Sequence, residues 1–266
     1  MLETWQYLVL AIIQGLTEFL PVSSSAHLIL PSQLLGWPDQ GPLIDVMAHF
    51  GSLFAVMIYF RKEVVRIFLG MFDLAKRNLS KDAALALNLI VATPPVLILG
   101  AVMMATDLSL AVRSPIVIAL TSIVFGIVLW LADIWGKRVR EMDTLSWRGA
   151  VGLGLAQSLA LIPGMSRSGI TMTAALAMGF TRVEAARFSM LMSLPVIGAG
   201  GLFALLKLTG EGAGARLSDG LVVAGLSFVA AYAAIALFMR WVPRLGMLPF
   251  MIYRVALGIF LLVVFL

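Results

Sequence analysis

The chain has 266 residues, of which 61% are hydrophobic and only 12% charged, and its mean hydropathy is +1.02. A soluble domain carries about 25% charged residues, so this composition excludes a water-soluble monomer and predicts an integral membrane protein. Cysteine is absent, which excludes disulfides, thiolate catalysis and Cys-ligated metals.

No Lys or Arg precedes Arg61. The N-terminus therefore lacks the basic region of a cleavable signal peptide, and we expect the mature protein to begin near Met1.

Ten apolar stretches follow one another along the chain, and their lengths fall into two classes. Six are long enough to cross a bilayer, which takes about 20 residues: 43–60, 83–106, 115–134, 188–206, 220–239 and 247–266. Four are shorter, as is typical of re-entrant or interfacial helices: 5–18, 22–35, 149–162 and 168–180. The short stretches form two pairs, interrupted at Pro21 and Pro163. Because proline disfavours helix both at its own position and before it, each pair predicts a broken helical hairpin.

A pair of short stretches followed by three spans occurs twice along the chain. This repeated order predicts a single membrane domain of residues 1–266 that contains two repeats, at about 1–135 and 146–266. The segment Gln14-Gly-Leu-Thr-Glu-Phe-Leu-Pro21 also matches Gln157-Ser-Leu-Ala-Leu-Ile-Pro163, with one gap. Three crossings per repeat is an odd number, so the second repeat must be inverted. The predicted fold is an all-α integral membrane protein with six transmembrane helices and two re-entrant hairpins in two inverted-topology repeats, an architecture that places a site near the bilayer midplane.

The basic residues of the loops predict the orientation. The loops after the first, third and fifth spans contain Arg61, Lys62, Arg66, Lys76, Arg77, Lys81, Lys137, Arg138, Arg140, Arg148, Arg240 and Arg244. The other loops contain only Arg113, Lys207 and Arg216. Cytoplasmic loops are the basic ones, so we expect both termini outside. The two hairpins then enter from opposite sides, and their tips can meet. A basic surplus of this kind indicates orientation and not nucleic-acid binding.

Polar residues that could do chemistry cluster at the two hairpin tips. Glu18, His27 and Arg167 are charged or titratable at membrane depth, where such groups usually mark function. Gln14 lies four residues before Glu18, on the same helix face. Hydroxyls stand where the second helix of each hairpin begins: Ser23, Ser24 and Ser25, then Ser166 and Ser168. Helix N-termini bind anions, and an arginine fork matches phosphate, so the tips predict a phosphate site suited to phosphoryl transfer.

Simpler interpretations exist for each of these residues. Glu18 could orient His27, hold a divalent cation or activate a nucleophile, or form a structural ion pair with Arg167. The serines could be helix caps that bond neighbouring backbone, and His27 could bridge helices. Asp45 and His49 lie four residues apart, and a structural pair is favoured over a ligand there. Arg254 in the last span could be a packed or snorkelling charge.

The two tip sequences resemble signatures of the undecaprenyl-diphosphate phosphatases, the bacitracin-resistance family. Gln14-Gly-Leu-Thr-Glu-Phe-Leu-Pro-Val-Ser-Ser-Ser-Ala-His27 is similar to the first signature, and Pro163-Gly-Met-Ser-Arg-Ser-Gly-Ile-Thr171 to the second. Pro249-Phe-Met-Ile-Tyr-Arg254 is similar to the family's C-terminal sequence. The resemblance covers essentially the whole chain. Two departures are mild, since Gln14 stands where many members have Glu, and Ala26 where Gly is common.

The resemblance implies a site with Glu18, His27, Ser24 and Arg167 as catalytic residues and Gln14 in support. It implies phosphate-binding roles for Ser23, Ser25, Ser166, Ser168, Gly169 and Thr171. Family members need a divalent cation, so Mg or Ca is implied, with Glu18 as its protein ligand. Ser24 is either the nucleophile or a phosphate ligand.

The function implied is hydrolysis of undecaprenyl diphosphate to undecaprenyl phosphate and inorganic phosphate, which recycles the lipid carrier for peptidoglycan synthesis and confers bacitracin resistance. The expected partners are a polyprenyl diphosphate substrate and membrane lipids, without nucleic acid, and a homodimer is compatible with this interpretation. We expect a multi-pass protein of the bacterial inner membrane with its site open to the periplasmic face. The competing hypothesis is a transporter or flippase of a polyprenyl phosphate, because broken helices in inverted repeats are also transporter architecture.

Overall fold

A computed structural model of the protein describes residues 3–38, 41–106, 114–207 and 213–266, and these ranges are helical without a β-strand. The helices are α1 (Thr4–Thr17), α2 (Ser24–Leu35), α3 (Pro42–Tyr59), α4 (Arg61–Ala75), α5 (Lys81–Ala92), α6 (Pro94–Ala105), α7 (Pro115–Trp135), α8 (Trp147–Ser158), α9 (Arg167–Ala177), α10 (Arg182–Lys207), α11 (Ala213–Leu245) and α12 (Leu248–Phe265). Short 3-10 turns occur at Met142–Thr144 and Leu159–Leu161. The prediction of an all-α protein is confirmed.

Each of the six predicted spans is helical. Five helices are long and apolar enough to cross a membrane: Lys81–Ala105, Pro115–Trp135, Arg182–Phe203, Ser218–Leu245 and Leu248–Phe265. The sixth candidate is α3, which counts as a span when it is taken with α4. Their outward faces carry exposed apolar side chains such as Ile98, Leu120, Val229 and Ile259. An apolar surface of this extent requires a membrane or a partner, so the chain is a multi-pass membrane protein.

Helix α4 was not predicted, because the many charged residues of 61–82 are typical of a loop between two spans. The chain bends by 87° between α3 and α4, at the point where the predicted span ends. Val65, Phe68 and Phe72 lie on one exposed face of α4, because a spacing of three or four residues keeps side chains on one side of a helix. The apolar residues between the charges therefore form a separate amphipathic helix.

The first helix of each hairpin packs closely on a spanning helix of the other half of the chain. Helix α1 packs on α11, and α8 packs on α5 and α6. A Cβ on Gly15 would lie 2.5 Å from the Ser227 carbonyl oxygen, and a Cβ on Gly154 would lie 2.3 Å from the Ala92 carbonyl oxygen. Small residues allow helix backbones to approach in membrane proteins, so these two glycines fix where the hairpins lie.

The loops after the first and third predicted spans are joined by ion pairs. Arg66 donates to Asp82 at 2.7 Å, and both Arg66 and Lys81 approach Asp143. The hydrogen bond to Asp82 raises the pKa of the Arg66 guanidinium. The loops after the first and third predicted spans therefore adjoin, as the orientation hypothesis requires, and the side of the membrane that they face stays a prediction. Arg113, expected on the opposite side, lies outside the described residues.

Candidate active site

The two hairpin tips contact each other beside a cavity of about 410 Å³. The hydroxyl of Ser168, in the second tip, donates to the Leu20 carbonyl, in the first tip, at 2.8 Å. The cavity is lined by Glu18, Ser23, Ser24, Ser25, Asp45, Val46, His49, Ala160, Ser166, Arg167, Val196, Ile197, Gly200 and Gly201. Six of the residues predicted for the phosphate site therefore face one space: Glu18, Ser23, Ser24, Ser25, Ser166 and Arg167.

Glu18 is buried, with 7% exposure, and accepts three side-chain hydrogen bonds. Its Oε2 accepts from Ser24 Oγ at 2.7 Å and from Gln14 Nε2 at 2.9 Å. Its Oε1 accepts from Arg167 Nη2 at 3.0 Å. A hydroxyl has a single proton, so the proton of Ser24 points at the carboxylate. This is the geometry in which a carboxylate can activate a hydroxyl nucleophile.

Arg167 is the first residue of α9, and its side chain is 14% exposed. Its Nη1 donates to the Ser189 carbonyl at 3.2 Å, while Nη2 bonds Glu18. The guanidinium carbon lies 5.6 Å from the centre of the Phe19 ring. These two hydrogen bonds use two of the five N–H donors of arginine. The guanidinium is therefore held in place at the cavity wall and retains donors for an anion.

The two tips share an unusual backbone conformation immediately before a helix. Ser23 has φ 72° before α2, and Ser166 has φ 67° before α9. Sparsely populated backbone conformations of this kind cost on the order of 1–3 kcal/mol for a residue other than glycine. In each tip the strained serine pairs with the serine two positions later, Ser23 with Ser25 at 3.2 Å and Ser166 with Ser168 at 3.1 Å. Such strain is found at functional sites, and both tips direct a helix N-terminus towards the cavity.

Gly169 and Thr171 stand behind the cavity wall. The Gly169 amide donates to Ser166 Oγ at 3.1 Å and so caps α9. The Thr171 hydroxyl donates to the Arg167 carbonyl at 2.8 Å and lies 2.6 Å from Ser189 Oγ. Neither residue is in the cavity lining, so phosphate contacts from the Gly169 backbone and the Thr171 side chain stay a prediction. Ser189, which had no marker in the sequence, holds both Arg167 and Thr171.

His27 lies away from Glu18, with its two ring nitrogens engaged. Its Nδ1 lies 2.7 Å from the Ser23 carbonyl, which can only accept, so Nδ1 carries a proton. In the neutral ring Nε2 then accepts from the Tyr253 hydroxyl. The two rings are stacked, with centroids 5.6 Å apart. His27 is absent from the described cavity lining, and its acid–base role stays a prediction.

His49 is the histidine that faces Glu18. Its Nδ1 donates to the Asp45 carbonyl at 2.7 Å, and its Nε2 lies 3.7 Å from Glu18 Oε2. The four-residue spacing favoured a structural pair of Asp45 and His49 over a ligand site, and a hydrogen bond joins His49 to the Asp45 carbonyl. The four-residue spacing predicts that Asp45 and His49 lie on one face of α3. It cannot predict which neighbouring helix contacts that face.

A second cavity of about 590 Å³ adjoins the first, and both include Ser25, Asp45, His49 and Ala160 in their walls. The remaining lining is mostly apolar: Leu28, Ile29, Ser32, Gln33, Gly100, Met103, Met104, Leu161 and Pro163. We call this space the α2–α6 groove, because those two helices supply most of its walls. It offers an apolar path that leads to the polar cavity.

The residues at the tips fit a divalent cation held mainly by a substrate. Among the described residues no three His, Asp or Glu side chains cluster in a way that could hold a metal. Glu18 supplies one buried carboxylate, which is already bonded by Arg167 and Ser24. Mg²⁺ is commonly bound through one or two carboxylates together with substrate phosphates. A single carboxylate would suffice only for an ion held mainly by phosphate oxygens, and binding of Mg or Ca stays a prediction.

These features define a class of protein: a multi-pass helical membrane protein with a hydroxyl-lined cavity that contains a buried carboxylate and an arginine. The family model described as "Bacitracin resistance protein BacA" matches residues 7–260, which is nearly the whole chain. The chain therefore belongs to the bacitracin resistance protein BacA family.

Similar proteins carry a consistent name. The chain is 55% identical over 260 residues to a protein of Maricaulis maris, with 97% of each chain covered. It is 48% identical over 265 residues to a protein of Alcanivorax borkumensis, with 98% of each covered. A protein of Alteromonas mediterranea is 49% identical over 259 residues, with 97% of each covered. All three are named undecaprenyl-diphosphatase.

Proposed function

We propose that the protein hydrolyses undecaprenyl diphosphate to undecaprenyl phosphate and inorganic phosphate. The observation that carries this proposal is the hydrogen-bonded set of Ser24, Glu18 and Arg167 at the contact between two helix N-termini. A nucleophile, a base and a cation are the parts that phosphoryl transfer needs. The names of the relatives, which cover nearly their whole length, support the same reaction and favour it over transport alone.

Arg167 and the N-termini of α2 and α9 bind and neutralise the phosphate groups. Ser24 Oγ then attacks the terminal phosphorus while its proton passes to Glu18 Oε2, 2.7 Å away. The bond between that phosphorus and the bridging oxygen breaks, and undecaprenyl phosphate leaves. Water subsequently hydrolyses the phosphoserine. In the alternative route Ser24 is a phosphate ligand, and Glu18 deprotonates the attacking water instead.

A divalent cation, Mg or Ca, would be held by Glu18 and by the diphosphate oxygens. When bound, it would neutralise charge that develops on the phosphate oxygens. Gln14 supports the site from behind, because its amide bonds the Glu18 carboxylate at 2.9 Å and so limits its rotation.

The polyprenyl chain would lie with its first isoprene units in the α2–α6 groove and the rest among membrane lipids. The groove is apolar and continuous with the polar cavity, as a ligand with a charged head and an apolar tail requires.

With basic loops in the cytoplasm, the site opens to the periplasmic face of the inner membrane. Release of the monophosphate there returns the carrier to peptidoglycan synthesis and removes the diphosphate that bacitracin sequesters.

Two inverted-topology repeats with re-entrant hairpins are part of the proposal. The matching φ values of Ser23 and Ser166 support it, as do Gln14 and Gln157, which are both fully buried before their tips. The reciprocal packing of α1 on α11 and of α8 on α5 has the same pattern. A homodimer stays a prediction.

The experiment is phosphate release from a long-chain polyprenyl diphosphate by the purified full chain in detergent, with and without EDTA. We expect metal-dependent release by the wild type and loss of release in Ser24→Ala and Arg167→Ala. Circular dichroism and binding of the lipid substrate establish that each protein is folded. A folded, lipid-binding wild type that releases no phosphate would overturn the proposal and favour a lipid transporter.

A further inference from the structure

Arg254 is a fully buried cation in the last spanning helix, with 0% exposure. A charge at membrane depth costs about 2.5–3.5 kcal/mol on insertion scales. Within the described part of the chain no carboxylate forms an ion pair with it, whereas the partly buried Arg182 pairs with Asp133 at 2.6 Å. An uncompensated charge at this depth requires a reason other than a structural ion pair.

The guanidinium of Arg254 binds the backbone of the second hairpin tip from behind. Its Nη2 donates to the Gly164 carbonyl at 2.9 Å and to the Met165 carbonyl at 3.0 Å. The Thr121 hydroxyl on α7 donates to the neighbouring Pro163 carbonyl at 2.7 Å. Three successive carbonyls before the strained Ser166 are therefore held by side chains of α7 and α12. This attachment fixes the bend from which Ser166 and Arg167 reach the cavity.

The rest of the guanidinium lies beside the first turn of α9. A Cβ on Gly169 would lie 2.8 Å from Arg254 Nη1 and 3.2 Å from Ser166 Oγ. On the other side, a Cβ on Gly126 would lie 3.0 Å from Arg254 Cβ and 3.6 Å from its Nε. Two glycines thus leave space for the side chain. Nε and Nη1 are buried and have no hydrogen-bond partner among the described residues, so much of the charge is not neutralised locally.

We propose that Arg254 is a positioning residue of the phosphate site. It holds the backbone of 164–166 in the bend that presents Ser166 and Arg167. Its unneutralised charge, directly behind the N-terminus of α9, strengthens anion binding at the cavity, because charges interact strongly where water is excluded. This inference rests on the proposed function in one respect, that the ligand of the cavity is a phosphate or diphosphate group.

The test is binding of inorganic pyrophosphate to the purified full chain, measured by calorimetry at a fixed Mg²⁺ concentration, in parallel with kcat and KM for the lipid substrate. Arg254→Met removes the charge at similar volume, and we expect pyrophosphate binding to weaken by about 10-fold or more, the scale of a charged hydrogen bond. Arg254→Lys, which keeps the charge, should recover most of that affinity. The control is Arg182→Met, which removes a partly buried arginine that pairs with Asp133, and it should leave pyrophosphate affinity unchanged even if it lowers thermal stability.

Gly126→Ala provides a second variant in case Arg254→Met fails to fold, because the added methyl presses on Arg254 without removing its charge. We expect it to weaken pyrophosphate binding and to raise KM. Wild-type affinity in folded Arg254→Met, or in folded Gly126→Ala when the Met variant does not fold, would overturn the inference while leaving hydrolysis intact. A wild type that binds pyrophosphate in an Arg254-dependent way but does not hydrolyse the lipid would contradict the proposed function alone.

Discussion

Glu18 and Arg167 join the two hairpins directly, with Arg167 Nη2 3.0 Å from Glu18 Oε1 across 149 positions of sequence. The contact has two consequences. It compensates two charges that would each be costly when buried alone. It also sets the distance between Ser24, which bonds the same carboxylate, and the N-terminus of α9. The sequence offered a structural ion pair as the alternative to a functional role for these residues. The ion pair is present, and it lies within the proposed site, so the two interpretations are compatible.

Arg167→Lys tests whether the fork of the arginine is needed. Arg167 bonds the Ser189 carbonyl with one nitrogen and Glu18 with the other, and a single ammonium cannot reproduce that planar geometry. We expect kcat/KM to fall by about 10–100-fold, the scale of one or two charged hydrogen bonds, while the protein stays folded. Steady-state kinetics on the lipid diphosphate measures this. Full activity in the Lys variant would mean that only the charge matters.

Ser24→Ala tests the nucleophile. If Ser24 attacks phosphorus, its loss should lower kcat by about 10³-fold or more, as is typical when a nucleophile is removed. Ser25→Ala is the matched control, because Ser25 lines the same cavity but bonds Ser23 and not Glu18. We expect the control to lose no more than about 10-fold. Equal, modest losses in both variants would favour the phosphate-ligand role and direct attack by water.

The helices and the hairpin tips could be predicted from the sequence, and the partners of individual side chains could not. Apolar length and proline position depend on local composition, so the six spans and the breaks near Pro21 and Pro163 follow from the sequence. The contact of His49 with Glu18 depends on the angle at which α3 passes the first hairpin. Such packing angles depend on many distant residues at once, which a single sequence does not display.

His27→Gln tests the predicted acid–base histidine. We expect kcat to fall by about 10²–10⁴-fold, the usual contribution of a general acid or base, and the pH–rate profile to lose one limb. Tyr253→Phe is informative beside it, because it frees His27 Nε2 from the Tyr253 hydroxyl while leaving the imidazole. It should retain more activity than His27→Gln. An unchanged pH–rate profile in His27→Gln, with a loss in His49→Gln, would assign the function to the histidine that faces Glu18.

Bulky substitutions in the α2–α6 groove test where the lipid chain lies. Ile29 on α2 and Met103 on α6 both line the groove, and a tryptophan at either position should obstruct it. We expect kcat/KM for a long-chain polyprenyl diphosphate to fall by about 10-fold, because overpacking an apolar site costs about 1–3 kcal/mol. Hydrolysis of inorganic pyrophosphate, which has no prenyl chain, should be nearly unchanged, since the polar cavity is not altered.

The matched control is Leu97→Trp, because Leu97 lies on the same helix α6, is 41% exposed and is not part of the groove lining. It adds the same ring to a surface that faces lipid, so both substrates should be hydrolysed at wild-type rates. Selective loss of the long-chain reaction in Ile29→Trp and Met103→Trp, but not in Leu97→Trp, would assign the groove to the prenyl chain. Equal loss of both substrates would instead indicate that the groove is the entrance for the headgroup, and the chain would then have to leave the cavity between other helices.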